Sequence, residues 1–77
     1  MEIQVIFFGS LIDVTAISFG NVHGSTDTDS LQQLLHQQYP GLQSCKYLIA
    51  VNQKMIQQNT QLKNGDTVAL MPPFSGG

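Results

Sequence analysis

The chain has 77 residues, of which eight are charged: three Lys and five Asp or Glu, with no Arg and a formal net charge of −2. This length allows one domain, and so small a body buries only about 60% of its unfolded surface, which leaves little room for an ordinary catalytic cleft. The absence of Arg argues against a nucleic-acid surface and against bidentate phosphate recognition, because both need clustered cationic side chains.

The first predicted element is a strand over Ile3–Phe8, which is rich in β-branched and aromatic residues and ends at Gly9. Almost every residue of the run is apolar, so its pattern does not show which face is buried. The core face is either Ile3, Val5 and Phe7 or the complementary set. The run is too short for a signal peptide or a membrane span, so we expect a cytoplasmic protein that contacts no membrane.

The segment from Ser10 to Phe19 fits neither the helical nor the strand period cleanly. We expect a short helical turn, for which Ser10 is the candidate cap, and then a second strand from about Ser18 to His23. Gly24 to Asp27 is predicted to be a loop.

A clear helix follows, with Thr28 or Asp29 as its predicted N-cap. Leu31, Leu34 and Leu35 recur at helical spacing and mark one apolar face, while Gln residues fill the polar face. Pro40 ends the helix, because proline cannot continue it.

The last third of the chain contains two strong strands, Tyr47–Asn52 and Thr67–Met71, with a short apolar segment at Met55-Ile56 between them. Lys63–Asp66 (KNGD) is a predicted tight turn. The element order predicts an α+β domain over residues 1–77, with one main helix packed on one face of a mixed sheet and residues 72–77 as a flexible tail. Two strongly apolar strands, the first and the last, are expected to lie together at the sheet centre. This is the pattern of a ubiquitin-like β-grasp.

The body of the chain contains no convincing chemical constellation. His23 and His36 lie in different predicted elements. The single cysteine, Cys45, is expected to be a small buried residue and not a nucleophile. Asp27 and Asp29 suit a loop and a helix cap, and too few further oxygen ligands are near them to predict a metal site. No bound cofactor is predicted.

The end of the sequence is the exception, because Gly76-Gly77 follows a strand and a Pro-Pro spacer. Glycines lack side chains, so such a chain end can enter a tunnel that a Cβ would block. Seven residues from Met71 reach roughly 20 Å at about 3.3 Å per residue. Activation of the terminal carboxylate on ATP would make it an electrophile for sulfur, and partner proteins must supply the catalytic groups. An inert, frayed tail on a plain interaction module is the alternative.

Three segments in register carry a family resemblance: Val5–Gly9 (VIFFG), Ala50–Asn52 (AVN) and Leu62–Gly77 (LKNGDTVALMPPFSGG). In them the chain resembles the small subunits of molybdopterin synthase, the MoaD-type sulfur carriers with an extended C-terminal Gly-Gly tail. The resemblance implies a β-grasp fold and a carrier that is not itself an enzyme. Gly77 would be adenylated by an E1-like enzyme that uses ATP, converted to a thiocarboxylate with a sulfur donor, and used to pass sulfur to a pterin precursor.

The resemblance also implies a partner, the large subunit of molybdopterin synthase, in a heterotetramer of two small and two large subunits. The tail inserted into that partner would be Pro72, Pro73, Phe74, Ser75 and Gly76. We expect further contacts from Phe7, Phe8, Leu70 and Met71, although Phe7, Phe8 or both could be core residues. Two related functions stay open: a thiamine-type sulfur carrier, which the Pro-Pro disfavours, and a ubiquitin-like modifier conjugated to lysines through Gly77.

Overall fold

The computed structural model describes residues 1–73. Its elements, in chain order, are β1 (Glu2–Phe7), α1 (Leu11–Thr15), β2 (Phe19–His23), α2 (Thr28–Gln38), a 3₁₀ helix (Pro40–Ser44), β3 (Leu48–Val51), β4 (Lys54–Ile56) and β5 (Thr67–Met71). The predicted strands, the short helical turn and the main helix are all present, with bounds shifted by a few residues. Residues 74–77 of the predicted flexible tail lie outside the described residues.

The five strands form one sheet in the order β2-β1-β5-β3-β4. β1 and β5 pair in parallel, and the other neighbours are antiparallel. The first and last strands therefore lie side by side, as predicted, and the ubiquitin-like β-grasp is confirmed. The short apolar segment Met55-Ile56 belongs to β4, which forms an edge of the sheet.

The hydrophobic core lies between α2 and one side of the sheet, called here the inner face. β1 contributes Ile3, Val5 and Phe7 to this face, which settles the choice that its apolar sequence left open. Fully buried partners come from the other elements: Leu31 and Leu35 of α2, Leu42 of the 3₁₀ helix, Val68 and Leu70 of β5, and Leu11 of α1. Leu34, predicted to share the apolar helix face, is half-buried and packs at the edge of this core.

The start of α2 differs from the prediction, because Asp27 is its N-cap and not Thr28 or Asp29. The Asp27 Oδ1 atom accepts from the Ser30 backbone N–H at 2.9 Å. Hydrogen bonding by the Ser30 side chain, first, then by the Ser30 N–H and by Asn59, lowers the pKa of the Asp27 carboxyl. Thr28 is occupied elsewhere, since its hydroxyl donates to Asn59 Oδ1 and accepts from Thr60 N. A distant loop therefore decides which residue caps the helix.

Ser10 occupies the N-cap position of α1, as predicted, but it does not cap the helix with its side chain. Its backbone is helical and its hydroxyl makes no capping hydrogen bond. The helix ends at Ala16, whose backbone is left-handed and whose N–H donates to the Ile12 carbonyl. Packing of Leu11 into the core, more than capping, holds this single turn in place.

The turn before β5 is fixed by hydrogen bonds to two other segments, one through a backbone carbonyl and one through a side chain. Gly65 has φ +87°, as the Asn-Gly turn predicted, and its N–H donates to the Glu2 carbonyl. Asn52 accepts from the Thr67 N–H at 3.0 Å and donates to Asp66 Oδ1 at 2.9 Å. The Asn52 amide, first, and the Lys63 N–H, second, lower the pKa of the Asp66 carboxyl. β5 therefore starts from a fixed point at the centre of the sheet.

Candidate functional site

Only some of the residues predicted to form the tail belong to the described part of the chain. Pro72 and Pro73 are described and follow β5 directly, whereas Phe74, Ser75, Gly76 and Gly77 lie outside the described residues. The predicted chemistry at Gly77 therefore stays a prediction. What the structure does give is the point from which the tail leaves.

The parallel ladder between β1 and β5 ends at Pro72 for a simple reason. Phe8 N donates to the Leu70 carbonyl at 3.0 Å, and the next bond of this ladder would run from residue 72 N to the Phe8 carbonyl. Proline has no N–H to donate. The Phe8 carbonyl instead accepts from Leu11 N at 3.2 Å, in the first turn of α1. The hydrogen-bonded ladder between the two central strands therefore ends at Phe8 N–Leu70 O, just before Pro72.

Two of the four residues predicted to contact a partner are corrected by the structure. Phe7 and Leu70 lie on the inner face, 2% and 1% exposed, so their side chains stabilise the core and offer no surface. Phe8 is 46% exposed and Met71 is half-buried, and both lie on the opposite side of the sheet. Phe8 and Met71 remain candidates for a partner contact beside the tail exit.

The side of the sheet opposite α2, called here the outer face, carries two apolar rows across the strands. Strand register places Phe19, Ile6, Ala69, Ala50 and Met55 in one row that crosses all five strands. The second row, nearer the tail exit, joins Phe8, Met71 and Leu48. Phe8, Phe19, Leu48 and Met55 are exposed, which is unusual for so many large apolar side chains on one face.

A groove of about 350 Å³ crosses this outer face. Its lining residues share a position on the central strands or on the β3–β4 turn: Ile6, Phe8, Thr67, Ala69, Asn52 and Gln53. Ala69 has the smallest side chain of these lining residues. Because the lining is apolar with a few amides and carries no charge, the groove suits an apolar side chain of a partner.

The other chemistry-bearing side chains are occupied structurally. The Tyr47 hydroxyl donates to Gln32 Oε1 at 3.0 Å and lies 2.7 Å from His36 Nε2, and burial raises the pKa of Tyr47. Cys45, predicted to be buried, is half-buried and its thiol donates to the Gly41 carbonyl at 3.3 Å. Over residues 1–73, no group of three His, Cys, Asp or Glu side chains could hold a metal ion.

Sequence reasoning missed most of the outer face, namely Ile6, Phe19, Leu48, Ala69 and Met55. Alternation along β1 places Ile6 beside Phe8, but only the strand order brings residues of β2 and β4 into the same row.

Within the described part of the chain, no helix is long and apolar enough to cross a membrane.

A central strand followed by a Pro-Pro pair, with an apolar groove beside it whose lining carries no charge, is typical of a β-grasp carrier or modifier domain. The model of the ThiS family matches residues 5–77, and the chain belongs to this family. The match includes the residues that follow β5.

Individual proteins narrow the comparison. The chain is 34% identical to the molybdopterin synthase sulfur carrier subunit of Mycobacterium tuberculosis, with 100% of this chain and 99% of that protein covered. It is 32% identical, with a TM-score of 0.77 and full coverage of both chains, to a chain in the complex of subunits 1 and 2 of the molybdopterin-converting factor from Helicobacter pylori. Small archaeal modifier protein 1 of Haloferax volcanii shares the fold, with a TM-score of 0.83, 19% identity and 95% and 98% coverage.

Proposed function

We propose that this protein is a sulfur carrier subunit in molybdopterin synthesis, with Gly77 as the residue that carries the sulfur. The observation that carries the proposal is the end-to-end similarity, at 34% identity, to a molybdopterin synthase sulfur carrier subunit. The tail exit adds physical support, because the β1–β5 ladder stops before Pro72, and the sequence continues as Pro73, Phe74, Ser75, Gly76 and Gly77.

The proposed chemistry takes place on the Gly77 carboxylate. An oxygen of this carboxylate attacks the α-phosphate of ATP, pyrophosphate leaves, and an acyl-adenylate forms. Hydrosulfide supplied by a donor then attacks the carbonyl carbon, AMP leaves, and a thiocarboxylate remains. The sulfur passes to a pterin precursor held by the large subunit.

Partner proteins supply the catalytic groups in this proposal. The chain has no Arg to stabilise charge on a transferring phosphate, and its three Lys residues are at positions 46, 54 and 63, outside the tail. We therefore propose that it acts as a non-catalytic subunit with an E1-like activating enzyme, and that ATP belongs to that enzyme. Assembly as a heterotetramer with the large subunit, and a cytoplasmic location, stay predictions.

The outer face is the proposed contact with the large subunit. Phe8 and Met71 are in the row nearest to Pro72, so a partner that receives the tail meets these side chains at the same time. Seating an apolar partner residue over Ala69 would bury the groove without desolvating a charged group of this chain. Phe74 lies outside the described residues, and its role as an anchor is a proposal from the sequence.

Intact-mass analysis tests the function. After incubation with ATP, the activating enzyme and a sulfur donor, we expect the protein to gain one sulfur in place of one oxygen. A variant without Gly77 should gain none and should unfold at nearly the same temperature, because a chain end contributes little to the core.

Three results would contradict the proposal or redirect it. A carboxylate that stays unmodified would contradict it, and conjugates linked to lysines alone would indicate a ubiquitin-like modifier. A thiocarboxylate that the large subunit cannot use would indicate a thiamine-type carrier. Much earlier unfolding of the truncated variant would mean that the tail is structural.

A further inference from the structure

Gly9 lies where β1 turns into α1, opposite the point where the chain leaves β5. Its φ is +58°, a left-handed conformation that favours glycine. A Cβ added at Gly9 would lie 3.1 Å from Pro72 Cγ and 3.5 Å from Pro72 Cδ. Carbon atoms pack at about 3.5–4.0 Å, so the methyl group of an alanine would press on the proline ring.

Two other glycines have a similar left-handed backbone conformation but no such contact. Gly24 has φ +89° and Gly65 has φ +87°, and a Cβ at either would meet nothing within 4 Å. An alanine at all three positions costs conformational strain, but only at Gly9 does it also displace a neighbour. The bare α-carbon of Gly9 therefore has a second role beyond allowing the turn.

The position of the proline ring matters because no hydrogen bond from β1 directs the chain at Pro72, although β3 pairs with β5 up to Met71. The ladder stops at Phe8 N–Leu70 O, and the Phe8 carbonyl is taken by Leu11 N. On the β1 side, the direction of Pro72 is therefore fixed by its van der Waals contact with Gly9.

We propose that Gly9 is a positioning residue: its missing side chain forms the seat for the Pro72 ring and sets the direction in which the tail leaves the sheet. The inference rests on the proposed function, since direction matters only if the tail must enter a partner. Proline fixes φ at both Pro72 and Pro73, so a change of direction at Pro72 is passed on to the residues that follow. Misplacement of reacting groups by about 1 Å can lower a rate roughly 100-fold.

The effect should fall on turnover more than on affinity. The outer face, with Phe8 and Met71, is unchanged by a methyl group at residue 9, so docking of the body of the protein should persist. We therefore expect sulfur transfer from Gly9→Ala, in the complex with the large subunit, to have a kcat lowered at least about tenfold and a nearly unchanged half-saturating concentration of carrier.

Gly24→Ala is the matched control, because it carries similar backbone strain at the opposite end of β1, where Gly24 N donates to the Met1 carbonyl. It should lose thermal stability much as Gly9→Ala does and keep its kcat. A second comparison uses Pro72→Ala, which removes the ring atoms that the methyl group meets. In that background, adding Gly9→Ala should lower kcat by much less than it does in the native sequence.

The contact itself is measured without any partner, by nuclear Overhauser effects between the Gly9 α-protons and the Pro72 ring protons. Absence of these signals overturns the proposal, as does an equal loss of kcat in Gly9→Ala and Gly24→Ala. Unchanged loss from Gly9→Ala in the Pro72→Ala background also overturns it. If the native protein passes no sulfur at all, the proposed function fails, which the native sample reveals before any variant is compared.

Discussion

Phe7 and Phe8 are neighbours in the chain, yet the sheet gives them opposite environments. Phe7 is 2% exposed on the inner face and makes an edge-to-face contact with Tyr39 at 5.9 Å, whereas Phe8 is 46% exposed on the outer face. On folding, the apolar side chains of the inner face are removed from water, whereas comparable side chains of the outer face stay exposed to it. Large apolar residues that gain little from folding are expected to gain from binding.

The largest expected effect is the loss of the inner aromatic ring. Phe7→Ala should lower the free energy of unfolding by about 3–5 kcal/mol, because it removes a buried ring and leaves a cavity. Urea unfolding measures this, with Phe8→Ala as the matched control, for which we expect a loss below about 1 kcal/mol. Similar losses in the two variants would end the distinction between the faces.

The second effect concerns the outer face and appears in binding, not in folding. Phe8→Ala should weaken the affinity for the large subunit by about 2 kcal/mol, or roughly 30-fold, as truncation of a central aromatic anchor does. Ile17→Ala is the control, since Ile17 is also exposed but its side chain lies near Gly20, on the inner side of β2. Calorimetric titration would contradict the proposed interface if both variants bound as the native protein does.

The smallest expected effect is a loss of stability in acid. The pKa values of Asp27 and Asp66 are lowered in the folded protein from 3.8, by hydrogen bonds from Ser30 and from Asn52 respectively. A lowered folded pKa gives a contribution that is complete above the unfolded pKa and is lost as the pH falls below about 3.8 through the folded value.

Thermal unfolding measured as a function of pH tests this expectation. The midpoint should fall below pH 3.8 by a small amount, because both carboxyls are exposed and screened by solvent. Asp66→Asn should flatten the fall, since the amide no longer titrates. An equally steep fall in Asp66→Asn would mean that its hydrogen bonds to Asn52 and Lys63 N contribute nothing to the pH dependence.

Local patterns predicted the elements well where each pattern had one interpretation. The leucine spacing predicted α2, the KNGD turn predicted the positive φ of Gly65, and the apolar first and last strands predicted the paired sheet centre. The same reasoning led to the tail, because no other part of the chain offered chemistry. The 3₁₀ helix after Pro40 was missed, since its sequence lacks a periodic signal.

The features that could not be predicted depend on residues far apart in the chain. Thr28 looks like a helix cap, but its hydroxyl is bonded to a loop 31 residues away, at Asn59, and Asp27 takes the role. Phe7 and Phe8 are chemically identical, and only the position of α2 decides which is buried. The alternation within β1 defines two faces, and long-range packing determines which of them is buried.

β5 is the last strand of the described chain, yet it occupies the centre of the sheet and pairs with both β1 and β3. Until β5 is available, the chain can form only the hairpins β1–β2 and β3–β4, and isolated two-stranded hairpins are at best marginally stable in water. During synthesis from the N-terminus, the core therefore stays open until Met71 has emerged from the ribosome. In the proposed function the residues to be activated follow the strand that completes the sheet, so a chain that lacks β5 also lacks the residues to be activated.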